Sequence, residues 1–96
     1  KLSADERILY LKFRGKATKE SLISDLTELY HLKANILFAN IERIGDTSIG
    51  YLIIIISGKS KQLADGINFL NRHGVRVQLL PGKKEESDKD VNASIS

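Results

Sequence analysis

The stretch from Ala34 to Ser57 constrains this chain more than any other, because two apolar, β-branched runs there are separated by Gly45-Asp46-Thr47-Ser48. Turn-forming residues between two such runs mark a β-hairpin. The second run, Tyr51 to Ile56, is apolar at every position. A strand packed on one face alternates apolar with polar residues, so this strand expects cover on both faces. Two helices can supply one face. Within 96 residues nothing else is available for the other, which points to a partner.

The flanking segments define the rest of the fold. From Ile8 to Arg14, Leu9, Leu11 and Phe13 alternate with Ile8, Tyr10 and Lys12, the pattern of a first strand. Gly15-Lys16-Ala17 breaks it. A helix follows from Thr18 or Ser21, either of which can serve as N-cap, to His31. Its apolar face is Leu22, Ile23, Leu26, Leu29 and Tyr30. A second helix spans Ser60 to His73, with Leu63, Ile67 and Leu70 on one face and Gly66 and Phe69 flanking. Glycine in a helix interior costs about 1 kcal/mol relative to alanine, so Gly66 implies a close approach to the sheet. Gly74 supplies the left-handed stop. Val75, Val77 and Leu79 then alternate with Arg76 and Gln78 as a fourth strand, ended by Pro81-Gly82.

The order β-α-β-β-α-β predicts an α+β fold, a ferredoxin-like plait with two helices on one face of a four-stranded antiparallel sheet. Strands one and three are central and strands two and four lie at the edges. The helices cover Leu9, Leu11, Phe13, Val75, Val77 and Leu79. The opposite face collects Ile8, Tyr10, alternate isoleucines of strand three and Leu80, an apolar surface unusual for a monomer. Strand two lacks a proline or inward charge to blunt its edge. Residues 1–6 read as a polar lead-in and 7–80 as the folded domain. Residues 81–96, with only Val91, Ala93 and Ile95 apolar, read as a disordered tail.

Composition narrows the function classes. The net charge is +3, and the basic residues are spread along the chain rather than gathered in the dense patch that a nucleic-acid footprint shows. The longest uninterrupted aliphatic run, Leu52 to Ile56, is far shorter than a membrane-spanning helix. The mixed polar and charged N-terminus shows no signal peptide, and a start at Lys1 rather than methionine suggests a fragment. With no cysteine, disulfides and thiolate metal sites are excluded.

Asn35-Ile36-Leu37, followed by Asn40-Ile41-Glu42 and by Gly50 ahead of the apolar strand, resembles the NIL domain, named for its Asn-Ile-Leu tripeptide. The resemblance runs from about Arg7 to Leu80. It implies the C-terminal regulatory domain of the ATPase subunit of a methionine-importing ABC transporter. Such a domain is non-catalytic, pairs as a homodimer and binds methionine at the dimer interface. It works beside an ATPase domain, which holds ATP and magnesium, and a membrane subunit, on the cytoplasmic side of the membrane. By the same resemblance the ligand contacts fall on Asn35, whose amide offers a donor and an acceptor, and on Ile41, which would line a pocket for the thioether. Tyr30, Leu37, Phe38 and Asn40 are further candidates for the pocket or interface. For Tyr30 and Phe38 a role in the core is the plainer expectation; for Asn40 and Glu42 it is a solvated edge. The chain departs from the family pattern at Ala39, where glycine is common, and at Ile49, which replaces a frequent aromatic; either change reshapes the pocket.

Other chemistries find little support. His31 and His73 sit at helix C-termini, where an imidazolium suits the helix dipole, and neither has a second ligand at metal-binding spacing. No nucleophile stands in a recognisable motif. Gly58-Lys59-Ser60 imitates the end of a phosphate-binding loop but lacks the upstream glycine. RNA-recognition motifs share the plait and stack bases on aromatics of strands one and three. Here that platform would be Tyr10 and Tyr51 alone, so no nucleic-acid partner is expected. A sensor resembling ACT domains, with another amino-acid ligand, is the nearer alternative.

Overall fold

The structure is a computed structural model, and it describes residues 5–15 and 17–81. Alternation in the first segment produces strand β1 (Glu6–Arg14), in which Leu9, Leu11 and Phe13 are buried and Ile8, Tyr10 and Lys12 half-buried. The strand begins at Glu6, inside the segment read as a polar lead-in. Residues 1–4 of that lead-in, and 82–96 of the tail, lie outside the described residues.

Thr18 caps helix α1 (Lys19–Glu28): its hydroxyl accepts from the Ser21 amide, and the Thr18 amide donates back to the Ser21 hydroxyl. The helix ends three residues before His31. Beyond it His31 takes a positive φ of 57°, a conformation found more often for His than for most non-glycine residues. This early stop leaves Leu29, expected on the buried face, 58% exposed at the C-cap. Leu32, just past the helix, is buried instead and belongs to the core.

Strands β2 (Lys33–Ile44) and β3 (Thr47–Ser57) form the predicted hairpin, with a shorter turn. Only Gly45 and Asp46 connect them, and a φ of 65° at Gly45 suits glycine at the first position of a type II′ turn. Helix α2 (Ser60–Arg72) follows, with the Lys59 amide donating to the Gln62 side-chain oxygen at its start. Gly74, at φ 80°, ends it as expected. Strand β4 (Arg76–Leu80) begins one residue after the predicted start.

All pairings are antiparallel and the sheet order is β2-β3-β1-β4, the ferredoxin-like plait with β1 and β3 central. Leu9, Leu11 and Phe13 of β1 and Leu52, Ile54 and Ile56 of β3 pack against Leu22 and Leu26 of α1 and Leu63, Phe69 and Leu70 of α2. Gly66 does permit a close approach, but to α1 rather than to the sheet. A Cβ there would lie 2.8 Å from Leu32 Cδ1 and 3.3 Å from Leu26 Cδ2. Leu79 pairs with the fully buried Leu9 yet is 53% exposed, near the end of an edge strand and outside the buried cluster that Val77 packs against.

The other face of the sheet has no helix. Strand registers place its side chains in cross-strand rows: Asn35, Ile55, Ile8 and Leu80; then Phe38, Ile53, Tyr10 and Gln78; then Asn40, Tyr51, Lys12 and Arg76. On β3 this gives Leu52, Ile54 and Ile56 fully buried but Tyr51, Ile53 and Ile55 only half-buried. The fully apolar strand is therefore covered on one side by its own chain and left open on the other.

Candidate ligand and self-association site

The Asn-Ile-Leu tripeptide lies in β2, and the local geometry of that strand decides what its side chains can reach. β2 pairs with β3 along one edge, and no described strand pairs with its outer edge. Eleven of its twelve residues are exposed. They include Ile36 (43%), Leu37 (52%), Phe38 (49%), Ile41 (61%) and Ile44 (59%). Phe38 is thus not the core residue that its apolar character suggested.

A register shift between Ile36 and Phe38 makes Leu37 the extra residue of a β-bulge. Side-chain direction has a period of two along a strand, so one extra residue inverts the faces of everything after it. Before the bulge, Ala34 and Ile36 pair with Ile56 and Ile54 on the helix side, and Asn35 pairs with Ile55 on the open side. After it, Ala39 and Ile41 pair with Leu52 and Gly50 on the helix side, whereas Phe38 and Asn40 pair with Ile53 and Tyr51 on the open side. Asn35 and Ile41 consequently sit on opposite faces of one strand. Six residues of extended chain hold them roughly 20 Å apart.

The remaining candidates divide between interior and surface. Tyr30 is half-buried against the core, its ring 5.3 Å from that of Phe69, and is not part of the β2 surface. Asn40 and Glu42 are exposed, as expected of edge positions. Ile49 is only 9% exposed and pairs with both Arg14 and Glu42, so its side chain is already packed. Neither histidine joins a ligand cluster, and no group of three or more potential metal ligands occurs among the described residues. His73 Nδ1 instead lies 3.0 Å from the Phe69 carbonyl oxygen, and its ring packs tilted against that of Phe69, with centroids 4.2 Å apart.

On the open face Tyr10 and Tyr51 lie nearly parallel, centroids 6.4 Å apart, with the Lys12 ammonium 5.8 Å from the Tyr51 ring. Tyr10, Lys12, Arg76, Val77 and Gln78 line a shallow groove of about 440 Å³. Among the described residues neither Lys12 nor Arg76 pairs with a carboxylate.

A plait with an open sheet face, an apolar edge strand and an Asn-Ile-Leu tripeptide on that edge defines a class of small α+β modules. The chain belongs to the NIL domain family, whose model matches residues 7–79. A methionine import ATP-binding protein of Streptococcus pneumoniae is 35% identical over 81 residues, 84% of this chain and 23% of that protein. One from Lacticaseibacillus paracasei is 35% identical over 77 residues, 80% of this chain and 22% of its own length. The chain therefore spans less than a quarter of these relatives. Among solved structures, the C-terminal domain of an ABC transporter ATP-binding protein from Enterococcus faecalis superposes with a TM-score of 0.69 at 22% identity. That match covers 83% of this chain and 89% of the other. It places the fold beside that of a transporter-subunit domain.

Proposed function

We propose that this chain is the non-catalytic regulatory module of an importer's ATP-binding subunit and that it senses methionine where two copies meet. One observation carries the reading: Asn35 and Ile41 occupy opposite faces and opposite ends of an apolar edge strand whose outer side is unpaired. A free amino acid is far shorter than their separation, so within one chain the two residues cannot hold one ligand. When two β2 strands run antiparallel, the start of one lies beside the end of the other. Where the two edges meet at an angle rather than as one flat sheet, Asn35 of one copy approaches Ile41 of the second, and the exposed Ile36, Leu37 and Phe38 are withdrawn from water.

In this reading the Asn35 amide engages the carboxylate or ammonium of the ligand, and Ile41 with its apolar neighbours takes the thioether. Methionine holds the two modules in an arrangement that keeps the attached ATPase domains apart, which lowers transport as the internal supply rises. The ligand must bind that arrangement better than the transport-competent one, since equal affinity for both would shift nothing. ATP and magnesium belong to the neighbouring ATPase domain. The module lies on the cytoplasmic side of the membrane, attached through the importer's membrane subunit.

Calorimetric titration with L-methionine, D-methionine and selenomethionine tests this, with Asn35→Ala and Ile41→Ala alongside. Saturable binding that both substitutions weaken supports the composite site. Binding untouched by either substitution removes the site from β2. No heat with any of the three, but heat with another amino acid, retains the sensor and replaces its ligand.

A further inference from the structure

Lys12 and Arg76 stand directly opposite one another on β1 and β4, and both belong to the open face of the sheet. Like charges so placed repel and weaken a sheet unless something neutralises them. Among the described residues neither is in an ion pair, and the Lys12 ammonium has the Tyr51 ring as its neighbour. Alternation along β1 puts the exposed Arg14 on the same side, one pleat further on. The described carboxylates of this face stand elsewhere. Glu6 pairs with Ser57 at the far end of β1, and Glu42 lies on β2, two strands from Arg14. Three cations therefore gather at one corner, at the groove lined by Tyr10, Lys12, Arg76, Val77 and Gln78.

The chain carries the complement in its own sequence. Residues 82–96 follow β4 and lie outside the described residues. Within them, residues 85–90 hold four carboxylates, Glu85, Glu86, Asp88 and Asp90, against one cation, Lys89. That is an excess of three negative charges, 4 − 1, and Lys12, Arg14 and Arg76 supply three positive ones.

Reach decides whether the two sets can meet. β4 ends at Leu80, opposite Ile8, and Arg76 lies four residues back along the strand. That distance is roughly 13 Å at about 3.3 Å per residue. Pro81-Gly82 is a dipeptide of the kind that reverses a chain. A chain that turns there and runs back extended draws level with Leu80 at Lys83 and with Arg76 at Ser87. Glu85, Glu86, Asp88 and Asp90 then fall on either side of Arg76, within a side chain's length of Lys12 and Arg14. Lys83 and Lys84 fall beside Leu80 and Leu79, away from the cationic corner.

We propose that residues 83–90 form a strap across the groove of the open face, with their carboxylates bridging Lys12, Arg14 and Arg76. The strap offsets the repulsion between the two opposed cations. It also lies beside the parallel rings of Tyr10 and Tyr51, which are 6.4 Å apart. Aromatic faces flanked by cations are the features that single strands of nucleic acid and other anionic chains use. The strap takes that surface for the chain itself. Exposed ion pairs are individually weak. A tether of a few residues, however, raises the effective concentration of the strap to the order of millimolar, so an untethered anion must outcompete it. The contact is made within one chain and is independent of any joining of two copies through β2.

The absence of cysteine lets one nitroxide be placed cleanly, at Ser87→Cys of the 96-residue chain. Backbone amide signals of nitrogen-15-labelled protein are compared with the nitroxide oxidised and reduced. The strap predicts strong broadening at Tyr10, Lys12, Arg76 and Gln78, and much weaker broadening at Asn35 and in the helices behind the sheet. Raising the salt from about 0.1 to about 1 M shortens the screening length from about 10 to about 3 Å and should cut the broadening at least twofold. Lys12→Glu with Arg76→Glu should abolish it. So should Glu85→Gln, Glu86→Gln, Asp88→Asn and Asp90→Asn together, a variant that leaves every described residue untouched. Broadening that is even over both faces, or centred away from Lys12 and Arg76, overturns the strap. Broadening that survives the neutralised tail overturns the charge pairing. Equal broadening in a mixture of labelled chain lacking the nitroxide with unlabelled chain carrying it assigns the contact to a second copy and overturns the strap within one chain.

Discussion

Replacing Gly50 by alanine should destabilise this fold, although the same substitution in most strands would help. Gly50 lies in β3 directly opposite Phe13 of β1. A Cβ at Gly50 would be 3.1 Å from Cδ2 of the Phe13 ring and well inside van der Waals contact with Cε2 and Cζ. The ring, 5% exposed, thus lies over the glycine and uses the space that a side chain would fill. Two effects compete. Alanine constrains the unfolded chain more than glycine does and favours the folded strand by about 0.5–1 kcal/mol. Against this, the ring must move outward by more than an ångström in a packed core, and overpacking of that kind costs about 1–3 kcal/mol. Steric displacement wins, for a net loss of about 1–2 kcal/mol, or roughly 5–15 °C in melting temperature for a domain of this size. Urea denaturation followed by far-UV circular dichroism measures it directly. A double-mutant cycle isolates the cause, because in a Phe13→Ala background the same Gly50→Ala change should be neutral or slightly stabilising. A Gly50→Ala chain as stable as its parent with Phe13 intact would refute the reasoning.

The remaining predictions probe the core, the cap and one titrating group. Ile54 is fully buried and Ile55, its neighbour on the open side, only half-buried; Ile54→Ala should cost about 2–5 kcal/mol in urea melts and Ile55→Ala distinctly less. Thr18→Ala removes the side-chain acceptor for the Ser21 amide and should cost about 1 kcal/mol, with Thr18→Ser largely preserving the parent midpoint. Glu20 has its carboxyl pKa lowered by a hydrogen bond from its own backbone amide, helped by Lys19 Nζ at 3.4 Å. A depressed carboxyl contributes stability above the unfolded value, about 4.3, which is lost as pH falls through the folded value, so Glu20→Gln should flatten the acid limb of the stability profile. An unchanged limb would show that solvent screens the contribution away at this fully exposed position.

Much of this protein was decided locally and can be read residue by residue. The alternation of Leu9, Leu11 and Phe13 with Ile8, Tyr10 and Lys12 defines a strand with one buried face. The Thr18 cap and the Gly74 stop delimit two helices, and Gly45-Asp46 closes the hairpin. An apolar side chain at every position from Tyr51 to Ile56 marks β3 as a central strand. These features depend on neighbours a few positions away, so linear order suffices to find them.

The tertiary structure decided what depends on distant partners. Leu29 and Leu79 have the right spacing to be buried, yet they lie where the helix has ended or near the end of an edge strand. Leu32, outside any periodic run, is buried because it fills the space beside Gly58 and Gly66. The bulge matters most for function. Nothing in Asn35-Ile36-Leu37 announces that Leu37 is an extra residue. Only the pairing of β2 with β3 shows that Asn35 and Ile41 face opposite ways. Strand register is a property of two segments at once, and that is why the fold was legible in the sequence while the placement of Asn35 and Ile41 on opposite faces of β2 was not.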